Sequence, residues 1–324
     1  MKNQTVFPGF EVQESYSSEK DESVDKSAEG LIKGPMKVRV PPIKCQGIKT
    51  KLVKFILSSI NWNREGRWIE PFLGSGVVAF NLAPKKALLS DTNVHIIKLY
   101  KSILSGEITS DSVREYLEMQ GRLLFEKGES HYYHIREKFN CEFSSLDFLF
   151  LSRAAFNGVM RFNKKGQFNV PFCKKTERFR QAYVTKIANQ VEWISQVMEG
   201  KDWEFVAADW RSTLSQARED DFVYADPPYA GRHTDYYSSW TEQDANDLLG
   251  ELRNLKCGFA LSTWKQNKYR CNDYVADLPD DVVLKSFLHF YHVGSSRELR
   301  NEIEEALIIS KRNAKSGAAS NYLK

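Results

Sequence analysis

The sequence predicts an α/β fold: a sheet whose strand–helix alternation is interrupted by a mainly helical insert that carries a β-hairpin. Three observations predict it. Short apolar runs, among them Ala87-Leu88-Leu89-Ser90 and Phe259-Ala260-Leu261-Ser262-Thr263-Trp264, alternate with stretches of helical periodicity. A turn bearing two glycines, Pro71-Phe72-Leu73-Gly74-Ser75-Gly76, joins the run Arg67-Trp68-Ile69-Glu70 to the helical run Val77-Val78-Ala79-Phe80-Asn81-Leu82. Finally, the apolar run Asp221-Phe222-Val223-Tyr224-Ala225 stops at Asp226-Pro227-Pro228-Tyr229, as a buried strand does when a double proline removes its N–H donors.

Composition narrows the class. With 324 residues and 42% hydrophobic content, the chain can bury one large core or two moderate ones. A net charge of +4 is mildly basic and does not by itself point to nucleic acid. No run approaches the ~18 apolar residues of a membrane span, and the start lacks the apolar segment of a signal peptide. The five cysteines (Cys45, Cys141, Cys173, Cys257 and Cys271) are scattered, without Cys-x-x-Cys spacing, and the histidines show no ligand spacing. Reduced thiols in a cytoplasmic protein are expected, with no metal and no disulfide frame.

In chain order, residues 1–36 are rich in Ser, Glu, Asp and Lys and read as a disordered tail. A Pro-led basic loop follows, Pro41-Pro42-Ile43-Lys44-Cys45-Gln46-Gly47-Ile48-Lys49-Thr50-Lys51, and runs into the amphipathic pattern Leu52-Val53-Phe55-Ile56-Leu57-Ile60. Such a loop can hold an anionic group against backbone N–H groups, and it also fits a solvated helix start. The second strand ends in Asp91-Thr92-Asn93, about fifteen residues beyond the glycine turn. An acid there can accept hydrogen bonds from both ribose hydroxyls of a nucleoside cofactor. A dinucleotide site would want a third glycine, where this chain has Ala79.

Residues 111–139 read as one or two helices, with Val113, Tyr116, Leu117, Leu123 and Leu124 at helical spacing, and the apolar run 146–151 follows. Asn163-Lys164-Lys165-Gly166, between two β-like arms, is a hairpin signal. Around it lie Arg161, Lys164, Lys165, Lys174, Lys175, Arg178 and Arg180 against Glu177. Cations interleaved with aromatics and amides suit phosphate contact and insertion into a base stack; a solvated basic loop fits the same residues. Trp203-Glu204-Phe205-Val206-Ala207 reads as a strand with Asp209 beyond its end, and residues 230–237, with Arg232 and His233, as a flexible loop. Thr241 and Asp244 form a capping signal for a helix reaching Leu255. Residues 287–292 and 306–309 are expected to complete the sheet around Arg297 and Arg300.

The chemistry concentrates at Asp226-Pro227-Pro228-Tyr229. A carboxylate and the Pro227 carbonyl can accept both hydrogens of one exocyclic amine, while the Tyr229 ring stacks on the base that bears it. A strand-ending turn with a capping Asp fits the same four residues.

Together, the Phe-x-Gly-x-Gly turn, the long insert and the later Asp-Pro-Pro-Tyr resemble the Dam-type (alpha group, D12 class) adenine-N6 DNA methyltransferases, and within them the EcoRV-type modification enzymes. Lys44-Cys45-Gln46-Gly47-Ile48-Lys49 stands where that family carries Lys-Trp-Ala-Gly-Gly-Lys, so part of a cofactor wall is built differently. The resemblance implies S-adenosyl-L-methionine as cofactor, held by Cys45, Gln46, Lys49, Pro71, Phe72, Gly74, Gly76, Asp91, Asn93 and Asp226. It implies catalysis by Asp226, Pro227, Pro228 and Tyr229. Double-stranded DNA would be met by Lys44, Asn157, Arg161, Phe162, Asn163, Lys164, Lys165, Asn169 and Arg232. The fold expectation becomes a Rossmann-like S-adenosylmethionine-dependent methyltransferase sheet with an inserted DNA-recognition domain. Its catalytic part would span 37–105 and 194–315, its recognition domain 106–193, with tails at 1–36 and 316–324.

The implied reaction is N6 methylation of an adenine flipped out of the duplex, in a GAT-containing word, GATATC, within restriction-modification or as an orphan enzyme. A monomer is expected, and a cognate restriction endonuclease would act on the same site without forming a complex. N4-cytosine methylation and a catalytically idle DNA-binding relative stay open beside it. Asp at the head of the motif favours adenine, and the intact Phe72, Asp91, Asp226 and Tyr229 speak against idleness.

Overall fold

The computed structural model describes residues 37–45, 47–229, 240–267, 272–275, 277–290 and 302–316. The tail 1–36, Gln46, the loop with Arg232 and His233, Arg297 and Arg300, and residues 317–324 lie outside the described residues.

Among the described residues, seven strands form one sheet: β1 (Trp68–Glu70), β2 (Lys86–Asp91), β3 (Asp202–Ala207), β4 (Phe222–Ala225), β5 (Gly258–Asn267), β6 (Val282–Phe290) and β7 (Glu302–Ser310). Their order is β3-β2-β1-β4-β5-β7-β6. Strands β1 to β5 run parallel, and β7 is antiparallel to both β5 and β6. This is a Rossmann-like order. The chain winds outward from β1 to β3 and restarts at β4 on the other side of β1. A crevice therefore opens at the carboxyl ends of β1 and β4, where open α/β sheets hold ligands.

Strands β1 and β4 are buried along their length, which explains why both read as apolar runs without alternation. They pair through Trp68↔Phe222 and Ile69↔Val223, and the Trp68 ring stacks on Phe222 and Tyr224 at 5.4 and 5.9 Å. Just before β1, the Arg67 guanidinium and backbone N–H both donate to the Asp221 carboxylate, at 2.8 and 2.7 Å. That double contact fixes the two strands in register.

Helices α1 (Val53–Ser59), α2 (Val77–Leu82) and α3 (Val94–Leu104) belong to the first half of the sheet. Between α3 and β3 the chain builds α4 (Ser110–Lys127), α5 (Glu129–Glu142), α6 (Ser145–Ala154) and α7 (Gln181–Met198). The expected one or two helices over 111–139 are two, because Gly128 takes φ of 60° and breaks the run. Helix α6 is the apolar run 146–151: it is buried on nearly every face, so it shows no stripe.

The hairpin forms as expected. Asn163 N–H donates to the Gln167 carbonyl at 2.8 Å, Gly166 N–H to the Asn163 carbonyl at 2.8 Å, and Gly166 has φ of 76°. The remaining α-helices among the described residues are α8 (Trp210–Leu214) and α9 (Glu242–Asn254), the latter with the reciprocal Thr241–Asp244 cap. One difference concerns β6, which starts at Val282, five residues before its expected start. Its polar Lys285 and Ser286 masked it, since an outer strand needs an apolar face on one side only. Among the described residues, no helix is long and apolar enough to cross a membrane.

Candidate active site

The basic loop before α1 is strapped to the helical insert. Arg153 of α6 donates to the Pro42 carbonyl at 2.5 Å and to Gln190 of α7 at 2.6 Å. The strap delivers Lys49, only 5% exposed, into the crevice. Its ammonium donates to the Gly47 carbonyl at 3.0 Å, pairs with Asp226 Oδ1 at 2.9 Å and lies 4.9 Å from the centre of the Tyr229 ring. The lysine thus touches the carboxylate and the aromatic face that the strand-ending motif presents.

On the β1 side, the glycine turn folds against the end of β2. Gly74 N–H donates to Asp91 Oδ2 and Asn93 N–H to Asp91 Oδ1, each at 2.8 Å. The Asn93 side chain accepts from His95 N–H at 3.0 Å and caps α3. Gly74 and Gly76 both have positive φ, +49° and +67°, for different reasons. At Gly76 a Cβ would strike the Phe80 ring at 2.6 Å; at Gly74 it would meet nothing within 4 Å, so the turn presents bare backbone to open space. Phe72, half-buried, sets its ring edge-on to Trp240 at 5.5 Å. Pro71 is buried beneath it in the turn. Burial, with a smaller push from the Asp91 charge, raises the Cys45 thiol above its ordinary range.

The crevice is lined by acids. Burial raises the Asp226 carboxyl above its ordinary range, opposed by the charge and hydrogen bond of Lys49, while Glu305 pushes it further up. Glu70, 2% exposed at the end of β1, is pushed up to about 8 by burial, although Trp68 Nε1 donates to it at 2.7 Å. Glu305, also 2% exposed, accepts from the Tyr229 hydroxyl at 2.5 Å. Pro227 is buried, and Pro228 and Tyr229 are half-buried. Among the described residues, no group of three or more His, Cys, Asp or Glu side chains could hold a metal ion.

The open backbone at Gly74, the half-exposed Phe72 ring and a carboxylate at Asp91 held by two backbone donors make a cradle whose chemistry fits a nucleoside-bearing methyl donor.

The residues expected to meet DNA divide into two sets. Lys164 and Lys165 stand exposed at the hairpin tip, Asn157 is exposed with φ of 52°, and the stem of Lys44 lies over Gly158, where a Cβ would meet it at 2.4 Å. The others are engaged within the chain. Arg161 donates to Asn169 Oδ1 at 2.9 Å, and Asn163 Oδ1 accepts from the N–H of Lys165 and of Gln167. Phe162 stacks on His95 at 5.1 Å and sets its edge to Phe168 at 5.5 Å. Gln46 and Arg232 lie outside the described residues.

The family model described as D12 class N6 adenine-specific DNA methyltransferase matches residues 46–291. The chain belongs to this family. It is similar to the retron Ec67 DNA adenine methylase of Escherichia coli, 32% identical over 196 residues, covering 57% of this chain and 63% of that one. It is also similar to the type II methyltransferase M.MjaIII of Methanocaldococcus jannaschii, 31% identical over 232 residues, covering 64% and 75%. The DNA adenine methylase of Serratia marcescens is 31% identical over 200 residues, covering 57% and 68%. The chain thus spans a little under two thirds of the first of these relatives.

In this D12-class chain, two buried acids of the crevice were not singled out from sequence. Glu70 had a signal: an acid closing an otherwise apolar strand, immediately before a proline. Glu305 had a weaker one, a carboxylate beside the apolar end of β7, and its pairing with Tyr229 exists only once β7 lies beside β5.

Proposed function

We propose that the protein transfers a methyl group from S-adenosyl-L-methionine to N6 of an adenine flipped out of double-stranded DNA, releasing S-adenosyl-L-homocysteine and one N6 proton. The reading rests on one observation above the others: Lys49, Asp226 and Tyr229 meet at the carboxyl end of β4, the strand next to β1 and its glycine turn. When bound, the cofactor supplies an electrophilic methyl group on a sulfonium. Cys45, Lys49, Phe72, Gly74, Gly76 and Asp91 would hold it, with Asp91 turned to the ribose hydroxyls.

The chain's own residues do the rest. Asp226 and the Pro227 carbonyl accept the two N6 hydrogens, which draws the lone pair out of the ring system and makes the nitrogen more nucleophilic. The Asp226 carboxylate also stabilises the positive charge that grows on that nitrogen, an effect of ~2–4 kcal/mol for a well-placed group. Lys49 keeps Asp226 ionised in surroundings that push its carboxyl up. Tyr229 stacks on the base, its hydroxyl tied to Glu305. The hairpin with Lys164 and Lys165 approaches the duplex and its phosphates. We take GATATC as the word, its GAT adenine as the target and a monomer as the working form. The setting is restriction-modification, with a cognate nuclease acting separately on the same site, or an orphan enzyme.

Tritiated-methyl transfer tests this on three duplexes, one containing GATATC, one with only GATC and one lacking both, with Asp226→Ala as control. Label in N6-methyladenine of the GATATC duplex alone supports activity and word. Label on both GAT-bearing duplexes keeps the chemistry and discards the word. Absence of label from all three DNAs, with the cofactor bound, sinks the reading.

A further inference from the structure

His95 sits where the two halves of the proposed site meet. Its backbone N–H donates to Asn93, whose own N–H donates to Asp91, whose other oxygen accepts from Gly74. The backbone of His95 is thus tied to the turn that carries Asp91. Its ring stacks on Phe162 of the hairpin at 5.1 Å with an interplanar angle of 20°. Phe143, just beyond α5, stacks on it at 5.4 Å, while Phe139 of α5 meets it at 4.9 Å and Phe148 of α6 at 5.8 Å. Four phenylalanines from three separate segments therefore converge on a single polar ring at the first turn of α3.

The opposite hairpin arm is fastened elsewhere. Asn140 of α5 bonds both the N–H and the carbonyl of Phe168, and the Tyr132 hydroxyl donates to the Val170 carbonyl. Those ties anchor the hairpin to the helical insert. The His95–Phe162 stack joins the arm that bears Arg161, Asn163 and the lysines to α3, which begins at the Asp91–Asn93 turn.

We infer that His95 is a positioning residue that couples the cofactor-side turn to the DNA-facing hairpin, so that filling the cradle changes how tightly the hairpin engages DNA. The inference rests on the function proposed above. A flat ring at 95 transmits the position of the Asp91 turn because both ends of the chain of contacts are short and directional. By linkage, DNA would tighten cofactor binding by the same factor.

The test measures DNA affinity of the full chain with and without S-adenosylhomocysteine, by fluorescence anisotropy on a GATATC duplex. Wild-type protein is expected to bind DNA about five-fold or more tightly with the ligand present. His95→Leu, which keeps apolar volume but has no flat ring, is expected to bring that ratio close to one. His95→Phe, which keeps the stack, should retain it. A merely structural role would weaken both affinities together and leave the ratio where it was. A wild-type ratio preserved in His95→Leu overturns the inference. So does a ratio of one in wild-type protein that still methylates DNA, which leaves the proposed function standing. Wild-type protein that neither binds nor methylates DNA removes both.

Discussion

The ammonium of Lys49 lies 2.9 Å from Asp226 Oδ1, bringing the loop before α1 onto the end of β4. Both side chains are largely withdrawn from water, at 6% and 21% exposure, so the pair acts in low dielectric, where a lost partner is costly. It also opposes the rise that burial imposes on the carboxyl that would accept the amine.

Replacing Lys49 by Met therefore has a signed consequence. Burial already raises the Asp226 carboxyl, and the lysine is what opposes that rise. Without it the carboxyl climbs further, and its ionised form is lost at higher pH. The acid limb of kcat/KM for methyl transfer is expected to move up by ~1 unit or more. A pH–rate profile superimposable on that of wild-type protein would exclude the role.

Glu70 makes a prediction about stability. Its carboxyl holds its proton up to about 8 in the fold, against 4.5 ordinarily. Between those values the folded chain binds a proton that the unfolded chain releases, so stability falls as pH rises through the window. Glu70→Gln keeps the volume and the acceptor for Trp68 Nε1 but cannot ionise. Its melting temperature relative to wild type is expected to increase from about pH 5 to about pH 8. The slope approaches ~1.4 kcal/mol per pH unit at most. An offset constant across that range would show that Glu70 does not titrate there.

Tyr229→Phe separates the stacking face from the hydroxyl. The ring stays over Lys49 and over any base, while Glu305 loses a donor in a buried position. Urea unfolding is expected to report a loss of ~1–3 kcal/mol. Methyl transfer should survive better than in Tyr229→Ala, which removes the ring. Equal activity of the two variants would mean that the aromatic face contributes nothing.

Much of the fold was legible because its signals are local. Asp221 to Tyr229 announces a strand and its stop through apolar run and proline, and Thr241 with Asp244 announces a helix start through hydrogen bonds three residues apart. The hairpin at Asn163–Gly166 follows from turn chemistry in the same way. Less legible were β6, whose polar Lys285 and Ser286 hide its one apolar face, and α8, a helix of five residues. In the site, Asp91, Gly74 and Asp226 stood out by type and spacing. The engagement of Arg161 with Asn169 and of Phe162 with His95 did not, since a basic or aromatic residue in a hairpin looks alike whether it faces solvent or its neighbours.

The sequence by itself determined the α/β class, the glycine turn, the strand-ending Asp-Pro-Pro-Tyr and the helical insert with its hairpin. Each depends on backbone preferences and periodicities that act over a few residues. Only the tertiary structure decided that Lys49 neutralises Asp226, that Tyr229 leans on Glu305, that Glu70 holds its proton and that His95 bridges turn and hairpin. Those are facts of burial and approach between segments distant in the chain, and burial sets both the charge of an acid and the partner of a ring.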